Sequence, residues 1–291
     1  MRIKFLNNPI EVSKQIWEKE SIPVVSVRVN TYNHYNYLEE CLQGILKQKT
    51  TFKIEILIYD DASTDNSKAI FSKYKLKYPD LFKIYISPEN LYFTPYFEQR
   101  IHNFFSTTKA EFIASVEGDD YWIDEYKLQE QIVFLINNPN YALTFHKVKY
   151  LNNLKEESNY FQYPQKSTLS NVEIILNHSI PTCSRVYRKS LEPNPWPEWF
   201  NKVNAKDIPQ NILLTSKFNA KFFKKKMAVY RNHPSSLTKD KHHIKESYMQ
   251  SIFIYLNLIR YLSLKSKIAI FYKIIYSFLA LLKNIPFIYF S

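Results

Sequence analysis

Phe112-Ile113-Ala114-Ser115-Val116-Glu117-Gly118-Asp119-Asp120 is a short apolar run that ends without a break in three carboxylates. Adjacent carboxylates at a strand end repel one another and lose solvation unless something cationic compensates, and a divalent cation does so well. The other reading of an Asp-Asp pair is a solvated turn. The same pattern recurs on both sides. Val24–Val29 ends in Asn30–Asn33, Ile54–Tyr59 ends in Asp60–Asp65, Phe82–Ile86 is followed by Pro88–Asn90, and Tyr141–Phe145 adds a further run. Amphipathic stretches lie between them. Tyr37, Leu38, Cys41, Leu42, Ile45 and Leu46, spaced by three and four, fall on one helical face. Asn36 with Glu39 three residues on predicts the cap of that helix. Short strands alternating with helices predict an α/β fold with helices packed on the faces of the sheet. Ligands of such sheets bind outside the carboxyl ends of the strands, where these polar clusters fall.

Composition narrows the chemistry. The chain has 291 residues, 45% hydrophobic and 16% aromatic, which predicts a folded protein throughout. Gly44 and Gly118 are its only glycines, so neither a dinucleotide-binding fingerprint nor a P-loop can be assembled. Any phosphate must be held by a metal, by cationic side chains or by helix N-termini. The net charge of +12 points to a polyanion, to a membrane surface, or to the compositional drift of an AT-rich genome. Lys and Arg are spread along the chain with Lys224–Lys226 the tight run, so no nucleic acid is expected as a partner. Cys41 and Cys183 form no paired motif, which fits a reducing compartment and a cytoplasmic location. Met1–Glu20 has no apolar core of a signal peptide.

After Asn152 the pattern loosens. The sequence predicts loops over Lys155–Ser167 and Pro193–Pro197, a helix from Ser170 boxed by Glu173, a strand over Thr182–Tyr187, a helix over Ile208–Phe218 and a strand over Lys226–Tyr230. The tail from Ser251 is rich in Ile, Leu, Phe and Tyr. Its run Ile268–Leu282 is too short to span a membrane, which leaves an interfacial helix or a helix packed on the domain.

Two further segments bear on chemistry. A carboxylate of the Asp60-Asp61 pair could accept the imide N–H of a uracil or thymine ring. Asp65 or Thr64 is expected to cap the next helix, leaving Asp61 to face the ligand. Asp207 heads a predicted helix, where the macrodipole alone would favour an acid.

Val25-Ser26-Val27-Arg28-Val29-Asn30-Thr31-Tyr32-Asn33, Ile56-Leu57-Ile58-Tyr59-Asp60-Asp61-Ala62-Ser63-Thr64-Asp65 and Val116-Glu117-Gly118-Asp119-Asp120-Tyr121-Trp122, in that order, resemble the family 2 glycosyltransferases of GT-A fold. Lys127-Leu128-Gln129, Gln131 and Asn138-Pro139 extend the resemblance, which covers about 23–236. It implies an α/β, GT-A (nucleotide-diphospho-sugar transferase) fold with a mostly parallel central sheet flanked by helices, and leaves unassigned the C-terminal helical tail expected from the apolar pattern. The implied organisation is an extension over 1–22, a catalytic domain over 23–240 and a tail over 241–291. By the same resemblance Asn30, Thr31, Tyr32, Asn33 and Asp61 belong to the base and ribose pocket, and Asp119 meets the ribose or a metal-bound water. Asp120 is the implied ligand of Mn²⁺ or Mg²⁺. Lys206-Asp207 and Tyr230-Arg231-Asn232-His233 resemble the family's base motif and closing segment. Asp207 is then the general base, Arg231 a diphosphate contact and His233 a second metal ligand or a structural residue. Asn30 stands where proline is usual and Ala62 where glycine is usual, and the latter implies a turn that needs no positive φ. Implied partners are a nucleotide-diphosphate sugar donor, a UDP-sugar foremost, and a glycan or lipid-linked acceptor. Independently of the resemblance, the basic apolar tail would suit peripheral contact with the inner face of the plasma membrane. A catalytically silent sugar-nucleotide or glycan-binding module of the same fold is the alternative.

Overall fold

The computed structural model describes residues 5–18, 20–92, 94, 96–152, 157–158, 160–177, 180–234 and 244–283. In chain order the first half holds β1 (Phe5–Glu11), β2 (Val25–Thr31), α1 (Tyr35–Leu46), β3 (Lys49–Phe52), β4 (Ile54–Asp60), α2 (Ser67–Lys77), β5 (Phe82–Ile86), α3 (Phe97–Phe105) and β6 (Phe112–Glu117). The second half holds β7 (Tyr121–Trp122), α4 (Lys127–Asn137), β8 (Tyr141–Leu151), β9 (Glu157–Ser158), β10 (Thr168–Leu169), α5 (Asn171–Asn177), β11 (Val186–Arg188), α6 (Asp207–Leu214), β12 (Asn219–Arg231), α7 (Ile244–Leu258) and α8 (Leu264–Lys283).

The main sheet orders as β10-β12-β8-β11-β6-β2-β4-β5. β6, β2, β4 and β5 run parallel, as do β8 and β12, and β11 is antiparallel to both its neighbours. Side chains alternate across it with period two. Ile56 and Ile58 of β4 join the core under α1, α2 and α4, whereas Leu57 and Tyr59 pack against α3. Phe112 and Ala114 of β6 belong to the first core, and Ile113 packs on the opposite side with Leu143, Trp199 and Ile212. β4 and most of β6 are buried on both faces, which explains why their runs Ile56–Tyr59 and Phe112–Val116 are almost continuously apolar. β1 pairs with β3, and Val12 is buried in the core, so the first segment is tied to the domain.

Most elements fall where the sequence predicts them, and Phe82–Ile86 is a strand with the expected ends. The Ser170–Glu173 box forms, with Ser170 N–H donating to Glu173 Oε2 at 2.9 Å and Glu173 N–H to Ser170 Oγ at 3.4 Å. Others differ. Asn36 does not cap α1: the N-cap is His34, and the Tyr35 N–H donates to Asp65 Oδ2 at 2.8 Å. Asp65 Oδ1 also accepts from Ser67 N–H at 3.0 Å, so one carboxylate serves the starts of α1 and α2. Thr182–Ser184 is a 3₁₀ turn rather than strand, because the Ser184 N–H and hydroxyl both donate back to the Pro181 carbonyl. α6 stops at Leu214, where the Thr215 hydroxyl donates to the Asn211 carbonyl. β12 runs well beyond Lys226–Tyr230 because β8 pairs with it along its length. The expected boundary at 240/241 falls on residues outside those described. Among the described residues no helix is long and apolar enough to cross a membrane.

Candidate active site

The carboxyl ends of β2, β4 and β6 are pinned to one another. Asp61 N–H donates to the Thr31 carbonyl at 3.0 Å, and Gly118 N–H to the Asn30 carbonyl at 2.8 Å. Glycine is required at 118 because a Cβ there would lie 2.7 Å from Thr31 Oγ1 and 3.0 Å from His34 Nδ1. Asn33 takes a left-handed φ of 55° and ties two loops together. Its Oδ1 accepts from Thr64 N–H at 2.8 Å, and its own N–H donates to Ser63 Oγ at 2.9 Å. Ala62 also sits at positive φ, 63°, which corrects the expectation that alanine marks an unstrained turn here. The turn is held by its flanks. Ser63 N–H donates to Asp60 Oδ2 at 2.9 Å, and the Ser63 hydroxyl donates to Asp60 Oδ1. Those anchors offset the cost of about 1 kcal/mol or more for a non-glycine residue in that region.

These loops frame an open cleft of about 880 Å³ lined by Tyr32, Ala62, Ser63, Thr64, Asp65, Lys68, Ile86, Ser87, Pro88 and Asn90. Asp61 does not line it. Its carboxylate is buried and accepts the N–H groups of Leu91 and Tyr92 at 3.0–3.1 Å, fixing the loop that follows β5. Burial pushes the Asp61 carboxyl up, and those two amides partly offset the shift. The expectation that Asp61 faces the ligand thus becomes a loop-holding role in this conformation.

Beside the cleft lies the acidic turn between β6 and β7. Asp120 is buried, its Oδ1 accepts the Arg231 N–H at 2.9 Å, and burial with the charges of Asp119 and Glu117 drives its carboxyl far up. Asp119 behaves oppositely. Burial pushes it up, but the hydrogen bond to His233 and the proximity of His34 hold it below the usual range. His233 Nε2 lies 3.0 Å and His34 Nε2 3.9 Å from Asp119 Oδ2. Tyr37 stacks on His233 with centroids 4.6 Å apart. Two overlapping ligand groups result, His34–Asp119–His233 and Glu117–Asp119–Asp120, each with its donor atoms within 4.8 Å. Asp119 bridges the two expected metal ligands, Asp120 and His233. Asp119 Oδ1 and Asp120 Oδ2 are buried and find no hydrogen-bond partner among the described residues. Bare carboxylate oxygens beside imidazole fit Mn²⁺ well and Mg²⁺ in part.

Asp207 opens α6. Burial raises its carboxyl, while Arg185 and the backbone N–H of Ile208 pull it back. Arg185 is itself seated on that helix, donating to Asn211 Oδ1 at 2.8 Å and Gln210 Oε1 at 2.6 Å. Glu117 links the two halves. Its carboxyl is pushed up to about 8 by burial, then by the charges of Asp119 and Asp207, with Arg185 acting the other way.

The profile described as Glycosyl transferase family 2 matches residues 26–193, more than half of the chain. The chain belongs to glycosyl transferase family 2. An uncharacterised protein of Mycobacterium tuberculosis (strain ATCC 25618 / H37Rv) is 30% identical over 184 residues, 63% of this chain and 49% of that protein, so the match spans about half the relative's length. Glycosyltransferase GlyG of Streptococcus pneumoniae serotype 4 is 46% identical over 54 residues, 19% of this chain and 18% of GlyG. Among solved structures, S. aureus TarS 1-349 in complex with UDP-GlcNAc superposes with a TM-score of 0.67 at 19% identity, covering 88% of this chain and 72% of that one. The mannosyltransferase PcManGT from Pyrobaculum calidifontis, in complex with GDP-Man and Mn²⁺, gives 0.60 at 14% identity, covering 93% and 79%. At such identities the likeness shows the GT-A fold.

In this family 2 chain the structure brings together most residues singled out in the sequence. Asn30, Thr31 and Asn33 build the loop wall, and Tyr32 lines the cleft. Arg231 donates to the Asp119 carbonyl at 2.7 Å, pairs with Glu40 and lies 4.3 Å from the Tyr121 ring. His34 and Arg185 carry no role in the sequence reading yet sit in the site, and Glu117 enters that reading only as part of the acidic run. For His34 a signal exists in the Asn-His step just before α1; for Arg185 there is none, because its contact with α6 is made across 25 residues.

Proposed function

We propose that this chain transfers a sugar, with inversion, from a nucleotide-diphosphate donor, UDP-linked foremost, to a hydroxyl of a glycan or lipid-linked acceptor, as in assembly of bacterial surface polysaccharide or lipooligosaccharide. The observation that supports this reading is the acidic turn itself, where Glu117, Asp119 and Asp120 bring donor atoms within 4.8 Å of one another and His233 Nε2 lies 3.0 Å from Asp119 Oδ2, with Asp207 close enough for its charge to act on Glu117. The complexes of TarS with UDP-GlcNAc and of PcManGT with GDP-Man and Mn²⁺ support the donor class.

In this mechanism the nucleoside occupies the cleft beside Tyr32 and Ala62–Asp65, and the sugar lies toward Glu117. Asp207 accepts the acceptor's hydroxyl proton as that oxygen attacks the anomeric carbon and the bond to the β-phosphate oxygen breaks. Asp207 is suited because Arg185 and the Ile208 N–H counter part of the rise that burial gives its carboxyl, whereas Glu117, pushed up to about 8, keeps its proton at neutral pH. Asp120, Asp119 and His233 would hold Mn²⁺ or Mg²⁺, which when bound neutralises charge building on the departing diphosphate. Arg231 adds a fixed positive charge at that edge. A panel of UDP-, GDP-, dTDP- and CMP-sugars, assayed for hydrolysis and transfer with either ion, tests the reading. Donor binding without turnover of any member would establish the silent module instead.

A further inference from the structure

α8 carries apolar side chains on both sides. The face turned toward α5 and α7 buries Ser266, Ala269, Ile270, Ser277 and Ala280, with Ile274 partly buried and Lys273 half-buried. Its outer face carries Ile268, Phe271, Tyr272, Ile275, Phe278 and Leu282, each 53–68% exposed. Their spacing by three and four makes a single stripe, extended by Leu264 to a length of about 27 Å. A soluble domain buries such side chains, and contiguous apolar surface on this scale marks a docking face.

Charge selects the occupant. From Ser247 to Ser291 the chain contains no Asp or Glu but has Arg260, Lys265, Lys267, Lys273 and Lys283. Two copies packed face to face would oppose like charges, whereas an anionic bilayer complements both the lysines and the apolar stripe. No described helix can cross a membrane, so α8 would lie along the surface. We infer that the outer face of α8 docks this protein on an anionic lipid bilayer. α7, which packs on α8, also packs on α6, the helix headed by Asp207, so one intervening helix joins the docking helix to the element that carries the proposed base. The surface stands independently of the transferase reading; only its use for a lipid-linked acceptor depends on it.

Flotation of the full chain with phosphatidylcholine vesicles, with and without about one third phosphatidylglycerol, tests this. The wild type should float with anionic vesicles, less so as salt rises. The variant carrying Ile268→Ser, Phe271→Ser, Ile275→Ser and Phe278→Ser should bind at least roughly tenfold more weakly, with donor hydrolysis in solution unchanged, and Lys265→Glu should weaken binding to anionic vesicles alone. Wild-type protein that stays below both vesicle types would overturn the inference, as would a fourfold variant that binds like wild type. So would a wild-type dimer that the fourfold variant dissolves, which would make the stripe a self-interface. Vesicle binding with no turnover of any donor would retain the docking surface and remove the transferase reading.

Discussion

His233 Nε2 lies 3.0 Å from Asp119 Oδ2, while Asp119 Oδ1 on the same carboxylate is buried without a partner among the described residues. The closing strand β12 thus delivers an imidazole to the turn after β6, across 114 residues. A carboxylate oriented by one imidazole and bare on its other oxygen is preorganised for a cation, and imidazole favours Mn²⁺ over Mg²⁺.

His233→Ala should therefore weaken Mn²⁺ binding by roughly tenfold or more and narrow the preference for Mn²⁺ over Mg²⁺. His34→Ala should do the same to a smaller degree, since its nitrogen is 3.9 Å away. Titration of Mn²⁺ by electron paramagnetic resonance reads both. Unaltered Mn²⁺ affinity in the His233 variant would remove it from the ligand set.

Asp207→Asn keeps the size and start of α6 but cannot accept a proton. Transfer should fall by roughly 10²- to 10⁴-fold, the span of general base catalysis, with donor affinity within about twofold of wild type. Equilibrium binding of the UDP-sugar alongside single-turnover transfer separates the two. Near-normal transfer would assign the base elsewhere, with Glu117 the next carboxylate in the pocket.

How much of this was open to sequence reading depends on the range of the forces involved. Strand positions such as Phe82–Ile86 and the acids at strand ends follow from local hydrophobicity and are visible at once. The start of α1 is not, because its amide partner is Asp65 across 30 residues rather than Asn36 beside it. The left-handed Ala62 is hidden for the same reason: beyond the local Asp60–Ser63 bonds, Asn33, Leu91 and Tyr92 hold that turn from outside it. His34 enters the site only because Gly118 lets β6 approach β2 and α1 so closely.

Lys127 supplies a test by pH. It is fully buried, donates to Gln131 Oε1 at 2.9 Å, and burial pulls its ammonium down to about 7. In the unfolded chain a lysine keeps its proton to about 10.4. Between those values the unfolded state binds more protons, so this group makes stability rise with pH, and below about 7 the effect levels off. Lys127→Met lacks the titration and leaves Gln131 Oε1 short of a donor, a penalty of about 1–3 kcal/mol that does not vary with pH. Urea melts at neutral and alkaline pH should show wild type gaining on the variant as pH rises. A constant gap would mean that the lysine stays charged in the core.

Gly44 makes the last prediction, and here two effects of opposite sign compete. Alanine in place of glycine inside a helix is worth about 0.5–1 kcal/mol in favour of folding. A Cβ at 44, however, would lie 2.7 Å from the Trp122 carbonyl oxygen and 2.9 Å from its nitrogen, both backbone atoms that no rotamer change can move. Overpacking of that kind costs about 1–3 kcal/mol, so Gly44→Ala should be net destabilising in urea denaturation. Relief must come from α1 and β7 separating. β7 directly follows Asp120 and pairs with β12 at Ala228 and Val229, just before Arg231 and His233. The same variant should accordingly lose Mn²⁺ affinity, although residue 44 touches no ligand. Stability at or above wild type together with intact Mn²⁺ binding would mean that the approach of α1 to the acidic turn is looser than the distances indicate.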